Sequence, residues 1–311
     1  NLEIKTRTSV AAFHSYNYLL ARESLTDHLN EEEKKNKVRQ RLLKIRAKKV
    51  IIATGSIERP LVFNNNDRPG IMLSSAVKKY ADYYGVLCGK KNVFFTNNDS
   101  AYESAISLNK KGISVETIID IREKSDSELV NEVEKIGIQI YWSHTVVDTH
   151  GHKKLKEITI MQLSNDDMSA IGKKTNIKCD CLAIAGGWTP AIHLFTQSGG
   201  KLKFREEDQV FLPNVSQSKQ TSIGSCNGDF ELNEIIKNLL INVKNFLKIK
   251  STEYDNLNIE CPSDNIKKNI WLLPSNKVIG KTKPFVDFQN DVTAKDIKLA
   301  LREGFRSIEH V

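Results

Sequence analysis

The sequence predicts an α/β fold built from strand–helix–strand layers, and three observations predict it. Three apolar strands stop abruptly in glycine-bearing turns: Lys48 to Pro60 (KKVIIATGSIERP), Cys181 to Pro190 (CLAIAGGWTP) and Thr221 to Gly228 (TSIGSCNG). A β-α-β unit of about 30 residues, the length such units have, lies between the first two. The third turn leads into a helix expected over Glu231 to Leu247. At about 100 to 200 residues per domain, the 311 residues predict two domains.

The composition narrows the class. Hydrophobic residues make up 40% and charged residues 27%, which suits a folded chain and argues against extensive disorder. Apolar runs such as Val50 to Ala53 fall far short of the roughly 20 residues that a membrane span needs, so no membrane is expected. Asn1 to Val10 carries charges where a signal peptide would be apolar, and the chain reads as truncated. Five cysteines (Cys88, Cys179, Cys181, Cys226, Cys261) are odd in number and scattered, unlike a disulfide framework. Reduced thiols and a cytoplasmic location are expected.

The net charge is +8, and its basic residues cluster. Lys34 to Lys49 holds nine basic residues and no acid. From Arg39 to Arg46 they alternate with apolar ones, the pattern of a strand with one solvated face. A contact surface for an acidic partner subunit is the other reading. No aromatics are interleaved for base stacking and no helix-turn-helix or zinc-finger pattern appears, so no nucleic acid is expected.

The remaining elements follow from periodicity and punctuation. Thr6 to Ala12 is strand-like. Ser74 to Tyr84 reads as a helix capped by Ser74 or Ser75 and stopped at Gly85. Asn92 to Thr96 is a strand, Ser100 to Lys111 a helix ended by Gly112, and Val115 to Ile119 a strand closed by Asp120: a Rossmann-like unit. Its turn, however, reads Thr96, Asn97, Asn98, Asp99, Ser100, Ala101 in place of G-x-G-x-x-G. Side chains there would bar a pyrophosphate, and Asp99 would put negative charge where a phosphate should sit. Asp99 is expected to cap the helix and Asp120 to be a strand-end acid. Ser125 to Ile136 is an amphipathic helix, Ile138 to Trp142 a strand, and Lys156 to Leu163 with Lys174 to Cys179 a hairpin around a polar loop. His150 and His152 flank Gly151 as exposed turn residues. Cys179 and Cys181, two apart, are expected on one strand face as buried thiols, with no second pair to make a zinc site. No acid–base or nucleophilic constellation is visible, so chemistry would belong to a cofactor.

Longer stretches carry a family resemblance: ATGSIERPLVF at Ala53 to Phe63, NDRPGIMLSSA at Asn66 to Ala76, FTNNDSAYESA at Phe95 to Ala105, AGGWTP at Ala185 to Pro190, HLFTQSGGKL at His193 to Leu202 and KPFVDFQNDVTAKDI at Lys283 to Ile297. In this order they resemble the two-dinucleotide-domain flavoproteins of the glutathione-reductase type, and among those the alpha-subunit family of heterotetrameric sarcosine oxidases. The resemblance implies an α/β, FAD/NAD(P)-binding, Rossmann-like two-domain fold with a small C-terminal helical domain. Its expected boundaries are 1–88 for the C-terminal part of the first dinucleotide-binding domain, 89–178 for an inserted second one, 179–250 for the return to the first, 251–282 for a linker and 283–311 for the start of the helical domain. Family members carry a glycine-rich loop upstream and a tetrahydrofolate-binding domain downstream, so an internal piece, inactive alone, is expected.

By resemblance this subunit binds NAD, FMN lies at a subunit interface and FAD on the beta subunit, gamma and delta subunits complete the assembly, and the whole oxidatively demethylates sarcosine to glycine, passing electrons through flavins to oxygen. Ala53, Thr54 and Gly55 would line the NAD pocket, Val10 would meet the adenine through its backbone, and Gly224 and Ser225 stand where reductases have a Gly-Asp pair, with Phe230 in the same wall. Related amine and opine dehydrogenases, the alternative subunit type, carry cluster cysteines before V-T-x-x-D-I. Phe285 to Asn290 has none, so no iron–sulfur cluster is expected. A non-catalytic scaffold subunit is a further alternative. Thr293 and Asp296 are expected to cap a helix over Ala294 to Glu303.

Overall fold

The computed structural model describes residues 2–250, 268–308 and 310; Cys261 and residues 251–267 of the expected linker lie outside them. The chain forms two compact units, one of Asn1–Ile57 with Thr189–Cys261 and one of Glu58–Trp188 with Pro262–Val311.

The first unit holds a three-stranded antiparallel sheet, Thr8–His14, Tyr18–Ser24 and Gln40–Arg46 in that order. Phe13 and Leu19 are opposed in its register, so they leave the same face, and both are buried with Ile52, Phe195 and Cys226. The basic strand is where expected, but it is not one-sided. Six of the seven residues of Gln40–Arg46 are exposed, Leu42 by 59%. It is the outer strand of the sheet, and alternation in a sequence separates two faces without specifying that anything covers either. The unit also contains the parallel pair Val50–Ile52 and Gln220–Ser222 and the hairpin Lys201–Arg205 with Val210–Val215. Its α-helices are Glu31–Lys34, His193–Gln197 and Leu232–Leu247.

The second unit is centred on a five-stranded parallel sheet. Its order is Ile71–Leu73, Cys181–Ala185, Asn92–Thr96, Val115–Asp120, Gln139–Tyr141. Cys181–Ala185, placed by the boundaries above with the returning segment, is thus hydrogen-bonded between two strands of this sheet. Alternate residues leave opposite faces of a strand, and two cores result. Val93, Phe95, Ile119, Leu182 and Ile184 join Val146, Ile158 and Ile160 of an antiparallel sheet formed by His144–His150, Glu157–Leu163 and Ala170–Lys178. Phe94, Ile118, Cys181 and Ala183 join Val77, Tyr102, Ala105, Val130 and Val133 of the helices Ser74–Asp82, Ser100–Lys110 and Glu128–Lys135.

Several local expectations change in tertiary context. Cys179 and Cys181 are buried free thiols, yet they belong to the two different cores. Only Cys181 is in a strand; Cys179 lies before the bend at Asp180, and the period-two rule does not cross a bend. Neither Ser74 nor Ser75 caps its helix. The cap position is Leu73, and the buried Glu58 carboxylate accepts from Ser75 N–H at 2.9 Å and from its hydroxyl at 2.6 Å. Strand His144–His150 was hidden by its polar ends, and His150 Nε2 lies 2.7 Å from the Thr159 hydroxyl. At the C-terminus, Phe285–Asp287 pairs with Val292–Thr293, and Thr293 with Asp296 makes the expected capping box for Ala294–Arg302. Among the described residues no helix is long and apolar enough to cross a membrane.

Candidate cofactor-binding turns

The first unit brings two of the three glycine turns together through backbone pairing. Val50–Ile52 runs parallel to Gln220–Ser222 in register, and Ile223 N–H donates to Ile52 O at 2.9 Å. The chains therefore leave the same strand end side by side, into Ala53–Gly55 on one and Gly224–Ser225 on the other. Gly55 and Gly224 have φ of 74° and 72°, left-handed values that a side chain would strain. A Cβ on Gly55 would find only the Ser225 hydroxyl, at 3.9 Å, so the space in front of this backbone is open to close approach. The Thr54 hydroxyl donates to Ala191 O at 2.7 Å, and Ala191 N–H to Gly55 O at 3.0 Å, which fixes the turn from behind.

Gly224–Asn227 is a short 3-10 turn ended by the left-handed Gly228, and half-buried Phe230 follows it. Ala53, Thr54, Gly55, Gly224 and Ser225 thus form one group, with Phe230 at its exit. Val10 is placed differently. It pairs with Ala21 beside a bulge on the antiparallel sheet and is 41% exposed.

The second unit's strand-to-helix turn is filled by its own side chains. Asp120, 0% exposed, accepts from Arg122 Nε at 3.1 Å, Arg122 Nη2 at 2.7 Å and the Tyr102 hydroxyl at 2.8 Å. Arg122 Nη2 also donates to Asp99 at 2.7 Å. Asp99 occupies the cap position of Ser100–Lys110 without a side-chain cap bond; its charge is spent on Arg122 rather than on the helix. Asp120 is likewise a buried ion-pair partner and not a simple strand-end acid. Burial works against the Arg122 charge, but the two carboxylates hold its pKa above the usual range. Burial and the Asp120 charge push the Tyr102 hydroxyl far up, so it serves as a donor. Asn97 and Asn98 bond the carbonyls of Gly186 and Ala185. Arg122 and Tyr102 escaped the sequence reading because no spacing rule pairs a residue after a strand with one inside a helix.

Burial pushes the Cys179 and Cys181 thiols up to about 12, so neither is a thiolate at neutral pH. Among the described residues no group of three His, Cys, Asp or Glu is placed to hold a metal ion.

Paired parallel strands ending in bare glycine turns, in a chain with a second parallel α/β layer, define a nucleotide-handling oxidoreductase fold. The chain belongs to the pyridine nucleotide-disulphide oxidoreductase family, whose model matches residues 11–223; residues 281–311 match the sarcosine oxidase A3 domain. Among curated proteins it is similar to sarcosine oxidase subunit alpha of Corynebacterium sp. (strain P-1), at 32% identity over 98% of this chain, and of Rhizobium meliloti (strain 1021), at 31% over 99%. The chain spans about a third of the length of these relatives, 32% and 30%. Among solved structures, L-proline dehydrogenase from P. horikoshii shares the fold with a TM-score of 0.52 and 20% identity, covering 96% of this chain and 52% of that one.

Proposed function

We propose that the chain is the NAD-holding part of the alpha subunit of a sarcosine-oxidase-like, amine-oxidising complex. The observation that carries this is the juxtaposition of Gly55 and Gly224, two left-handed glycines at paired strand ends, in a chain similar to those subunits along nearly its whole length. The residues fit a dinucleotide by that test. Ala53, Thr54 and Gly55 let its backbone-facing edge approach, Ser225 offers a hydroxyl and Phe230 an apolar wall; the adenine contact of the Val10 backbone, on the antiparallel sheet, rests on the resemblance alone. When bound, a nicotinamide nucleotide supplies hydride-accepting or hydride-donating chemistry; these residues bind and orient it. Ser225 in place of a carboxylate removes a negative charge from the ligand's surroundings.

In this reading the substrate amine and FAD belong to a beta subunit, FMN to a subunit interface, and gamma and delta subunits complete a cytoplasmic assembly. Tetrahydrofolate binds to a further domain, and no iron–sulfur cluster is present. The test is to release and chromatograph the nucleotides of the full-length protein expressed with its partner subunits. NAD should appear, and a Gly55→Val variant should lose it. Absence of NAD from the assembled wild-type complex, or its retention by the variant, would overturn the assignment.

A second reading, a non-catalytic scaffold, draws on Asp99, Arg122 and Asp120, which occupy the second layer's turn. It predicts that Gly55→Val leaves the activity of the complex unchanged.

A further inference from the structure

The first unit has a second opening, at the end of its paired strands opposite the glycine turns. Gly55 and Gly224 follow the C-terminal ends of Val50–Ile52 and Gln220–Ser222, whereas Lys48 and Lys219 precede their N-terminal ends. A cavity of about 580 Å³ lies there, within the roughly 300–1,000 Å³ range of small-molecule sites. Three segments of the chain line it: the hairpin turn Ser15 to Asn17, the strand end Arg46 to Lys48, and Gln217 to Lys219.

Asn17 joins these segments. Its Nδ2 donates to Lys48 O at 3.3 Å and to Lys219 O at 3.0 Å, and Ala47 N–H donates to Asn17 O at 3.1 Å. The residue is 4% exposed, and its φ of 52° is one that asparagine adopts more readily than most residues. With Nδ2 committed to two carbonyls, Oδ1 is the acceptor of this side chain, and among the described residues nothing donates to it. Buried polar atoms are rarely left without a partner, so this wall has a place for a donor. Its charge is one-sided as well. Arg46, Lys48 and Lys219 line the cavity, and no carboxylate does. Arg46 lies 5.6 Å from the neutral Tyr18 ring, and among the described residues none of the three cations makes an ion pair. The other side chains of the lining are mainly polar and neutral, as at Ser15, Gln217 and Ser218.

We propose that this cavity binds a small phosphate ester of a polyol, with its phosphate toward Arg46, Lys48 and Lys219 and a hydroxyl donating to Asn17 Oδ1. Three cations in one wall match a dianionic phosphate, whose oxygens accept charge-assisted hydrogen bonds. Hydroxyl and amide groups beside them suit a hydroxylated body, and the volume is more than a bare phosphate fills. The site lies at the other strand end from the glycine turns and does not depend on a nucleotide being held there.

Calorimetric titration of the full-length protein with glucose 6-phosphate, glucose and inorganic phosphate, at low ionic strength where exposed charges are little screened, tests this. One glucose 6-phosphate should bind per chain, with inorganic phosphate roughly tenfold weaker for want of the hydroxyl contacts and glucose showing no saturable binding. Lys48 and Lys219 are exposed, and Lys48→Glu or Lys219→Glu should each weaken the ester about tenfold, the scale of one charge-assisted contact. Arg39→Glu, at the other end of the basic strand and outside the cavity, should leave binding unchanged. Asn17→Gly keeps the left-handed backbone and should bring the ester down toward inorganic phosphate. No saturable binding of the ester, equal binding of inorganic phosphate or of glucose, or an effect of Arg39→Glu as large as that of the two lysine variants would each overturn the proposal. Should Asn17→Gly not fold, the charge reversals and the ligand comparison decide alone.

Discussion

The two units treat the same structural opportunity in opposite ways. Each has parallel strands ending beside the start of a helix, where backbone N–H groups and the helix dipole favour an anion. In the first unit the turns are bare: Gly55 and Gly224 carry no side chain, and a Cβ would meet only the Ser225 hydroxyl at the first, 3.9 Å away, and the Ile235 side chain at the second, 3.6 Å away. In the second, carboxylates have moved in. Asp99 and Asp120 converge on Arg122, and Glu58 accepts from Ser75 at the helix start. A turn closed by its own ion pairs is a structural element; a turn left open can hold a ligand.

The largest effect should come from opening the closed turn. Arg122→Ala leaves Asp99 and Asp120, 1% and 0% exposed, without their shared cation. Removing one partner of a buried ion pair costs about 3–5 kcal/mol, which urea denaturation would read as a lower midpoint. A loss below about 1 kcal/mol would show that water reaches the pair and that the turn is not closed.

Filling the open turn should cost less in stability and more in ligand. Gly55→Val forces a β-branched residue to φ near 74°, a strain of about 1–3 kcal/mol. Its decisive readout is the loss of bound nucleotide from the assembled complex. Ser225→Asp sharpens the comparison further, because it puts into the first unit the charge that the second unit uses. On the proposed assignment of NAD to this turn, an acid at position 225 should weaken its retention about tenfold, the scale of one charge-assisted interaction, measured as the NAD content after dialysis. Unchanged retention would remove Ser225 from the ligand's surroundings.

The smallest effect concerns Glu58. Burial raises its pKa, against the two hydrogen bonds from Ser75, which lower it. A raised carboxyl pKa means that the folded state holds the proton more tightly than the unfolded state does. Stability should therefore fall as the pH rises from the ordinary glutamate range through the folded-state value, and level off above it. Glu58→Gln retains an acceptor for Ser75 and should flatten that slope in denaturation curves taken between pH 4 and 8. An unaltered slope would assign the pH dependence to other groups.

Much of this was legible in the sequence because it is local. The strand Asn92–Thr96, the helix stops at Gly112 and Gly137, and the Thr293–Asp296 capping box each depend on a handful of adjacent residues, as does the absence of glycine from Thr96 to Ser100. The peptide-level resemblance located the glycine turns before their geometry was seen. What escaped depends on residues far apart in the chain. Glu58 caps a helix that begins 16 residues later, Cys179 and Cys181 part company at a bend, and Arg122 reaches back to Asp99 only because parallel pairing aligns Thr96 with Asp120.

By itself the sequence determined that this is an α/β chain of the reductase kind, that its strands end in glycine turns, and that its second layer lacks the usual phosphate loop. Periodicity, turn chemistry and backbone freedom are properties of neighbouring residues, and they survive in any context. Only the tertiary structure decided which turns stand open and which are closed. Whether a carboxylate meets a guanidinium or water is settled by long-range packing, and it is that packing which left Gly55 bare and buried Asp120.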